Sequence, residues 1–350
     1  MRGKLDSVQH LRAVAALGVV FYHALWNHSG EPSALLKMGA AGVDLFFVIS
    51  GFIMWYTATS RDEPTQTFIS KRILRIVPLY WLITTVVLAI VVVRPNLMKS
   101  ASFDTAHAIA SYAFVAWPHP KLDHFWPVVV PGWSLNYEMP FYLLVALSLR
   151  VERRWRALLV CSSLVGLVAI GLIAQPKSVL AFYTDPILLD FVYGTLIGVL
   201  YTSQGKIKIG RGAALALLCA GIASFALLGP MATNESRALL WGLPMACLFA
   251  GCVNLPAFLP NRPFALLGDA SYSIYLTQFC TIGPLARLLK PLAGKDLHLL
   301  AGLGIALFAV AIGVLTYYLV ERPLNHMGRK LLNRRPPPAT RSEMSHPAPD

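Results

Sequence analysis

Ten apolar stretches, each near the length that carries a helix across about 30 Å of hydrocarbon, dominate this chain of 350 residues. They lie near 11–29, 42–60, 77–93, 132–149, 157–174, 187–202, 213–229, 238–254, 267–288 and 299–320. Within a bilayer every backbone polar group must be satisfied inside its own segment, so stretches of this length can only be helices. The expected fold is an all-α integral membrane protein with about ten transmembrane helices. Composition agrees: charged residues make up 13% of the chain, about half the soluble average.

Lysine and arginine should gather on cytoplasmic loops. With the N-terminus inside, the cytoplasmic segments hold 20 of them and the opposite face 8, while Arg12 and Arg287 fall within spans. That bias predicts both termini in the cytoplasm. The net charge of +13 is then topological, scattered over loops rather than collected on one soluble domain, and no nucleic-acid partner is expected. Arg12 and His23 interrupt the first apolar segment and no convincing small-residue cleavage site follows it, so it reads as a retained span rather than a signal peptide. The cysteines at 161, 219, 247, 252 and 280 lie in apolar surroundings without ligand spacing, so neither a metal nor a disulfide is expected. Residues 1–325 read as one transmembrane domain. The polar, proline-rich 326–350 reads as a disordered cytoplasmic tail.

Polar groups inside these spans are the candidate functional residues. Arg12 and His23 are eleven residues apart, which puts them on one helix face with about 16 Å between them. By the expected topology Asp44 begins the second span near the outer boundary, Ser50 and Gly51 lie near mid-membrane, and Glu138 lies about 9 Å below the outer surface. His23, Asp44 and Glu138 thus share one outer layer, and a carboxylate beside an imidazole is the usual preparation of a general base. Between spans two and three, Lys71, Arg72 and Arg75 form a basic cluster, and Arg72 and Arg75 are one helical turn apart. Two guanidinium forks so placed suit phosphates; a purely topogenic cluster is the other reading. The long loop 94–131 carries Trp117 and Trp126 among acidic and imidazole groups, a composition that suits a sugar surface or, alternatively, an interfacial aromatic belt.

The Arg12 to His23 spacing, FFVISG (46–51), RILR (72–75), WSLNYE (133–138), LGDASYSIYLTQ (267–278) and YLVERP (318–323) occur in this order. Together they resemble the signatures of the membrane acyltransferase family 3, over about residues 5 to 325. Within that family the chain is most similar to the exopolysaccharide O-acetyltransferases of the succinoglycan type. Gln278 departs from the pattern, since many members have His there.

The resemblance implies an enzyme that moves an acyl group, usually acetyl, from cytoplasmic acetyl-CoA or another acyl-CoA to a hydroxyl of an extracytoplasmic or lipid-linked polysaccharide. It places the protein in the bacterial inner membrane. Arg12, Lys71, Arg72 and Arg75 would hold the donor, with Ser50 and Gly51 allowing close approach to the thioester. His23 would be the base, oriented by Asp44 or Glu138, and Trp117, Trp126 and Trp133 would meet the glycan. A transporter or flippase of a lipid-linked saccharide is the alternative from another class.

Overall fold

The computed structural model describes residues 6–29, 34–60, 64–94, 97–98, 101–203, 209–255, 262–289 and 298–333. Among them there is no β-strand. The principal helices are α1 (Asp6–Ser29), α2 (Gly42–Ser60), α3 (Thr65–Val93), α4 (Trp133–Ser148), α5 (Arg153–Ala174), α6 (Leu189–Thr202), α7 (Arg211–Leu228), α8 (Leu243–Asn254), α9 (Ser271–Leu289), α10 (His298–Thr316) and α11 (Arg322–Asn333). Helices therefore occupy each of the ten expected stretches. A π turn, Tyr317–Glu321, joins α10 to α11 without a break, so helix continues eight residues beyond 325 into the segment read as tail. Residues 334–350 lie outside the described residues.

Among the described residues, seven helical segments are long and apolar enough to cross a membrane by themselves: Asp6–Trp26, Met38–Thr59, Thr65–Val93, Arg153–Ala174, Val179–Thr202, Arg211–Met231 and Leu299–Leu332. The chain is a multi-pass membrane protein. The other three expected spans are α4, α8 and α9. Helices α4 and α9 carry the polar residues that lower their apolarity, Ser134, Asn136 and Glu138 on one and Ser271, Ser273, Thr277 and Gln278 on the other. A helix loaded in this way must turn those groups toward protein rather than lipid. Helices α5 and α7 do the reverse: Ile173 is 85% and Leu227 is 74% exposed, as befits a lipid-facing rim.

Close approach between helices depends on small residues, because association within lipid rests on packing rather than on the hydrophobic effect. The tightest seam joins α2 to α6. A Cβ on Gly51 would run into the Phe191 carbonyl and approach Gly194 Cα to 3.1 Å, and one on Gly194 would strike the Val48 carbonyl. Helix α9 meets α10 in the same way, Ile274 lying over Gly313. Helix α1 packs against α2, α9 and α10.

Within the expected loop, residues 101–131 have their own order. Asp104 caps the short helix Thr105–Tyr112 by accepting from His107 N at 2.7 Å. His107 Nε2 is 2.7 Å from the Trp126 carbonyl, His119 Nδ1 accepts from the amides of Lys121 and Leu122 at 3.1 Å each, and His124 stacks on Trp126 at 4.1 Å. Asp104, His107 and His119 thus hold the loop together, leaving Trp117, His124 and Trp126 as its more accessible faces.

Candidate active site

A cavity of about 70 Å³ lies where α1, α2, α3, α4 and α9 converge. Four of the expected site residues line it: Arg12, Ser50, Arg75 and Glu138. They come from four different helices, so the concentration of charge arises from packing rather than from any local motif. Arg12 Nε and Nη2 donate to Ser271 Oγ at 3.2 and 2.9 Å. Ser50 Oγ donates to Glu138 Oε1 at 2.5 Å, Tyr142 donates to the same oxygen, and the two hydroxyls are 3.3 Å apart. Two guanidiniums and a carboxylate held by two hydroxyls thus face one space enclosed by Val43, Phe46, Phe47 and Ile49.

His23 stands beyond this lining. Its Nδ1 is 3.3 Å from Gln278 Oε1, and Gln278 Nε2 donates to the Tyr275 carbonyl at 3.0 Å. Tyr275 is itself a wall of the cavity, held by its hydroxyl to the Pro131 carbonyl at 3.0 Å and beside Ser134 Oγ at 3.1 Å. The imidazole and the charged cavity are therefore neighbours along α9, with one helical turn between Tyr275 and Gln278.

The carboxylates expected beside His23 have partners elsewhere in this arrangement. Asp44 is fully buried and gives its oxygens to Arg237, at 2.9 Å from Nε and 2.8 Å from Nη2, while Glu138 is engaged by Ser50 and Tyr142. Similar depth puts groups in one layer, but the direction in which each helix turns its face decides which of them meet. The other expected residues also separate. Arg72 donates to Thr57 Oγ1 at 3.4 Å and lies over the Phe68 ring; neither it nor Lys71 lines the cavity. Gly51 faces the α6 backbone. Trp133 lies under the Arg237 guanidinium at 5.9 Å.

Arg237 and Asp190 were missed in the sequence reading. Asp190 is wholly buried against Asp44 and Arg237, and the Arg237 guanidinium also lies over the Trp241 ring at 5.0 Å. The signal was available, since Asp190 is a lone carboxylate in the apolar run PILLDFVYG. Ser271 and Glu321, which accepts from Ser273 Oγ at 2.5 Å, lie in the motifs LGDASYSIYLTQ and YLVERP, whereas Tyr142 carried no comparable signal.

Among the described residues no group of histidine, cysteine and carboxylate side chains is placed to hold a metal ion. The chain is thus a helical membrane bundle with a cavity lined by Arg12, Arg75 and Glu138 and an imidazole beside it. Residues 5–320 match the acyltransferase domain of acyltransferase family 3, and the chain belongs to that family. It is 38% identical over 307 residues to the exopolysaccharide production protein ExoZ of Rhizobium meliloti, covering 83% of this chain and 91% of that protein. It is 26% identical over 310 residues to the O-acetyltransferase OatA of Staphylococcus aureus, of which it spans 50%, and 28% identical over 258 residues to the peptidoglycan O-acetyltransferase OatA of Listeria monocytogenes, of which it spans 37%. No solved structure matches. Family membership decides between the enzyme and the exporter expected from sequence: the protein is a membrane acyltransferase that transfers groups other than aminoacyl groups.

Proposed function

We propose that this enzyme transfers an acetyl group from acetyl-CoA, bound from the cytoplasm, to a hydroxyl of an extracytoplasmic or lipid-linked polysaccharide at the bacterial inner membrane. The observation that carries this reading is the cavity that joins Arg12 and Arg75 to the Ser50 and Glu138 pair. Two guanidiniums facing one enclosed space suit a polyphosphate, and CoA cannot cross a bilayer, so its phosphates must be met from within the cell. Lys71 and Arg72, on the same stretch of α3, would guide the donor to the mouth, and the pantetheine arm would run along α1 from Arg12 toward His23.

In this reading His23 removes the proton of the acceptor hydroxyl as its oxygen attacks the thioester carbonyl. Asp44 serves instead to hold Arg237 and, through it, Trp133 and Trp241. Trp117, Trp126 and Trp133 offer faces on which a sugar ring can stack. The acceptor class rests on the likeness to an exopolysaccharide production protein.

The test is transfer of radiolabelled acetyl from acetyl-CoA to exopolysaccharide by the purified protein in sealed proteoliposomes, with the donor supplied on one side and the glycan on the other. Labelled glycan only when the donor is on the side of α11 supports the proposal. Transfer with donor and acceptor together on the opposite side, or none from any acyl-CoA, sinks it.

A further inference from the structure

We propose that Gln278 is a positioning residue which holds His23 as the Nδ1–H tautomer and so places the ring's lone pair on Nε2, the atom that takes the acceptor's proton. This rests on the reading of His23 as the base.

The tautomer follows from a chain of obligatory donors and acceptors. Gln278 is 2% exposed, and its Nε2 reaches the Tyr275 carbonyl at 3.0 Å. A carbonyl can only accept, so the nitrogen end of the amide is committed there and Oε1 is the end turned to His23, 3.3 Å from Nδ1. That oxygen also can only accept, so the hydrogen belongs to Nδ1. The support is rigid as well, because Tyr275 is tied to Pro131 and Ser134 at the start of α4.

The charged groups of the packed helices that the structure describes are engaged with partners of their own. On α1 the adjacent ring is Tyr22, at 4.9 Å, while Arg12 is three turns away and bonded to Ser271. On α2 the carboxylate of Asp44 is taken by Arg237, and on α4 Glu138 is taken by Ser50 and Tyr142. Helix α9 presents Gln278, and α10 has no ionisable side chain beyond His298 at its start. An amide thus stands where sequence reasoning expected a carboxylate.

The proton balance closes on the same ring. As the acceptor oxygen bonds to the thioester carbon, its proton passes to Nε2. The carbon–sulfur bond then breaks, the thiolate takes that proton from Nε2 and leaves as the free thiol, and the ring returns to the Nδ1–H form.

The experiment is ¹⁵N NMR of the histidine-labelled full-length protein in nanodiscs, with the His23 signals assigned by their loss in His23→Gln. We expect a protonated, pyrrole-type Nδ1 and an unprotonated, pyridine-type Nε2. The opposite pattern in the parental protein overturns the proposal, whether or not the protein transfers acetyl groups. The rate profile provides a second arm. Gln278→Glu should move the acid limb of kcat up by about one pH unit, because a carboxylate at Nδ1 favours the charged ring. Gln278→Leu should lower kcat about 10²-fold with donor KM little changed, the cost of a misplaced base. An unshifted limb in the first variant together with parental kcat in the second also overturns the proposal. If Gln278→Leu does not fold, the parental spectrum and Gln278→Glu still decide. If the parental protein shows no transfer, the proposed function fails while the spectrum still judges the tautomer.

Discussion

Asp44 and Arg237, 193 residues apart in the chain, meet fork to fork, with Nε 2.9 Å from Oδ1 and Nη2 2.8 Å from Oδ2. Asp190 lies against the pair with neither oxygen receiving a hydrogen-bond donor. One guanidinium therefore ties α2 and α6 to the π turn Ala238–Gly242 that leads into α8.

Removing that guanidinium should be costly. Arg237→Ala leaves Asp44 and Asp190 buried without their cation, and breaking a buried pair from one side costs about 3–5 kcal/mol. Thermal denaturation in detergent should show a lower midpoint, with Arg237→Lys recovering only part of it because an ammonium cannot reproduce the planar fork. An unchanged midpoint in Arg237→Ala would mean that the pair is not structural.

The two carboxylates first considered for His23 should behave differently. Glu138→Gln should depress acetyl transfer while keeping the melting midpoint, since the amide oxygen can still accept from Ser50 and Tyr142. Asp44→Asn should lower the midpoint, because Arg237 loses its charged partner. Measuring both quantities on both variants settles the assignment; equal melting losses would refute it.

For His23 itself the expected loss is in rate alone. His23→Ala should reduce transfer by about 10² to 10⁴, the usual contribution of a general base, with normal insertion and melting. Parental turnover by a well-folded His23→Ala protein would remove the imidazole from the chemistry.

Donor affinity should discriminate between neighbouring arginines. Arg75 lines the cavity, whereas Arg72 is turned to Thr57 and Phe68, so Arg75→Ala should weaken CoA binding by calorimetry more than Arg72→Ala does. Arg154, exposed and 2.8 Å from Glu152, is the control, and Arg154→Ala should bind as the parental protein does. Equal losses at 72, 75 and 154 would reduce the α3 cluster to a topological signal.

Gly51 separates packing from chemistry. A methyl group there must displace the α6 backbone, and overpacking of this kind costs about 1–3 kcal/mol. Gly51→Ala should melt earlier yet keep the donor KM of the folded enzyme. A raised KM at an unchanged midpoint would instead place Gly51 beside the thioester.

The amino-acid sequence by itself determined the helices and the kind of molecule they build. Stretches of bilayer length leave the backbone no alternative, and six short motifs in one order are enough to mark the family. It also gave the polar residues an expected depth, because helical rise converts sequence distance into height. Depth proved insufficient for partnership. Asp44, Glu138 and His23 come from three helices whose rotation about their own axes is set by side-chain packing, and only the assembled bundle shows that each turns to a different neighbour: Arg237, Ser50 with Tyr142, and Gln278. The same holds for the cavity. Arg12 and Arg75 are 63 residues apart, and nothing local brings them together; the close seams at Gly51, Gly194 and Gly313, which let the helices approach, belong to the tertiary structure that decides it.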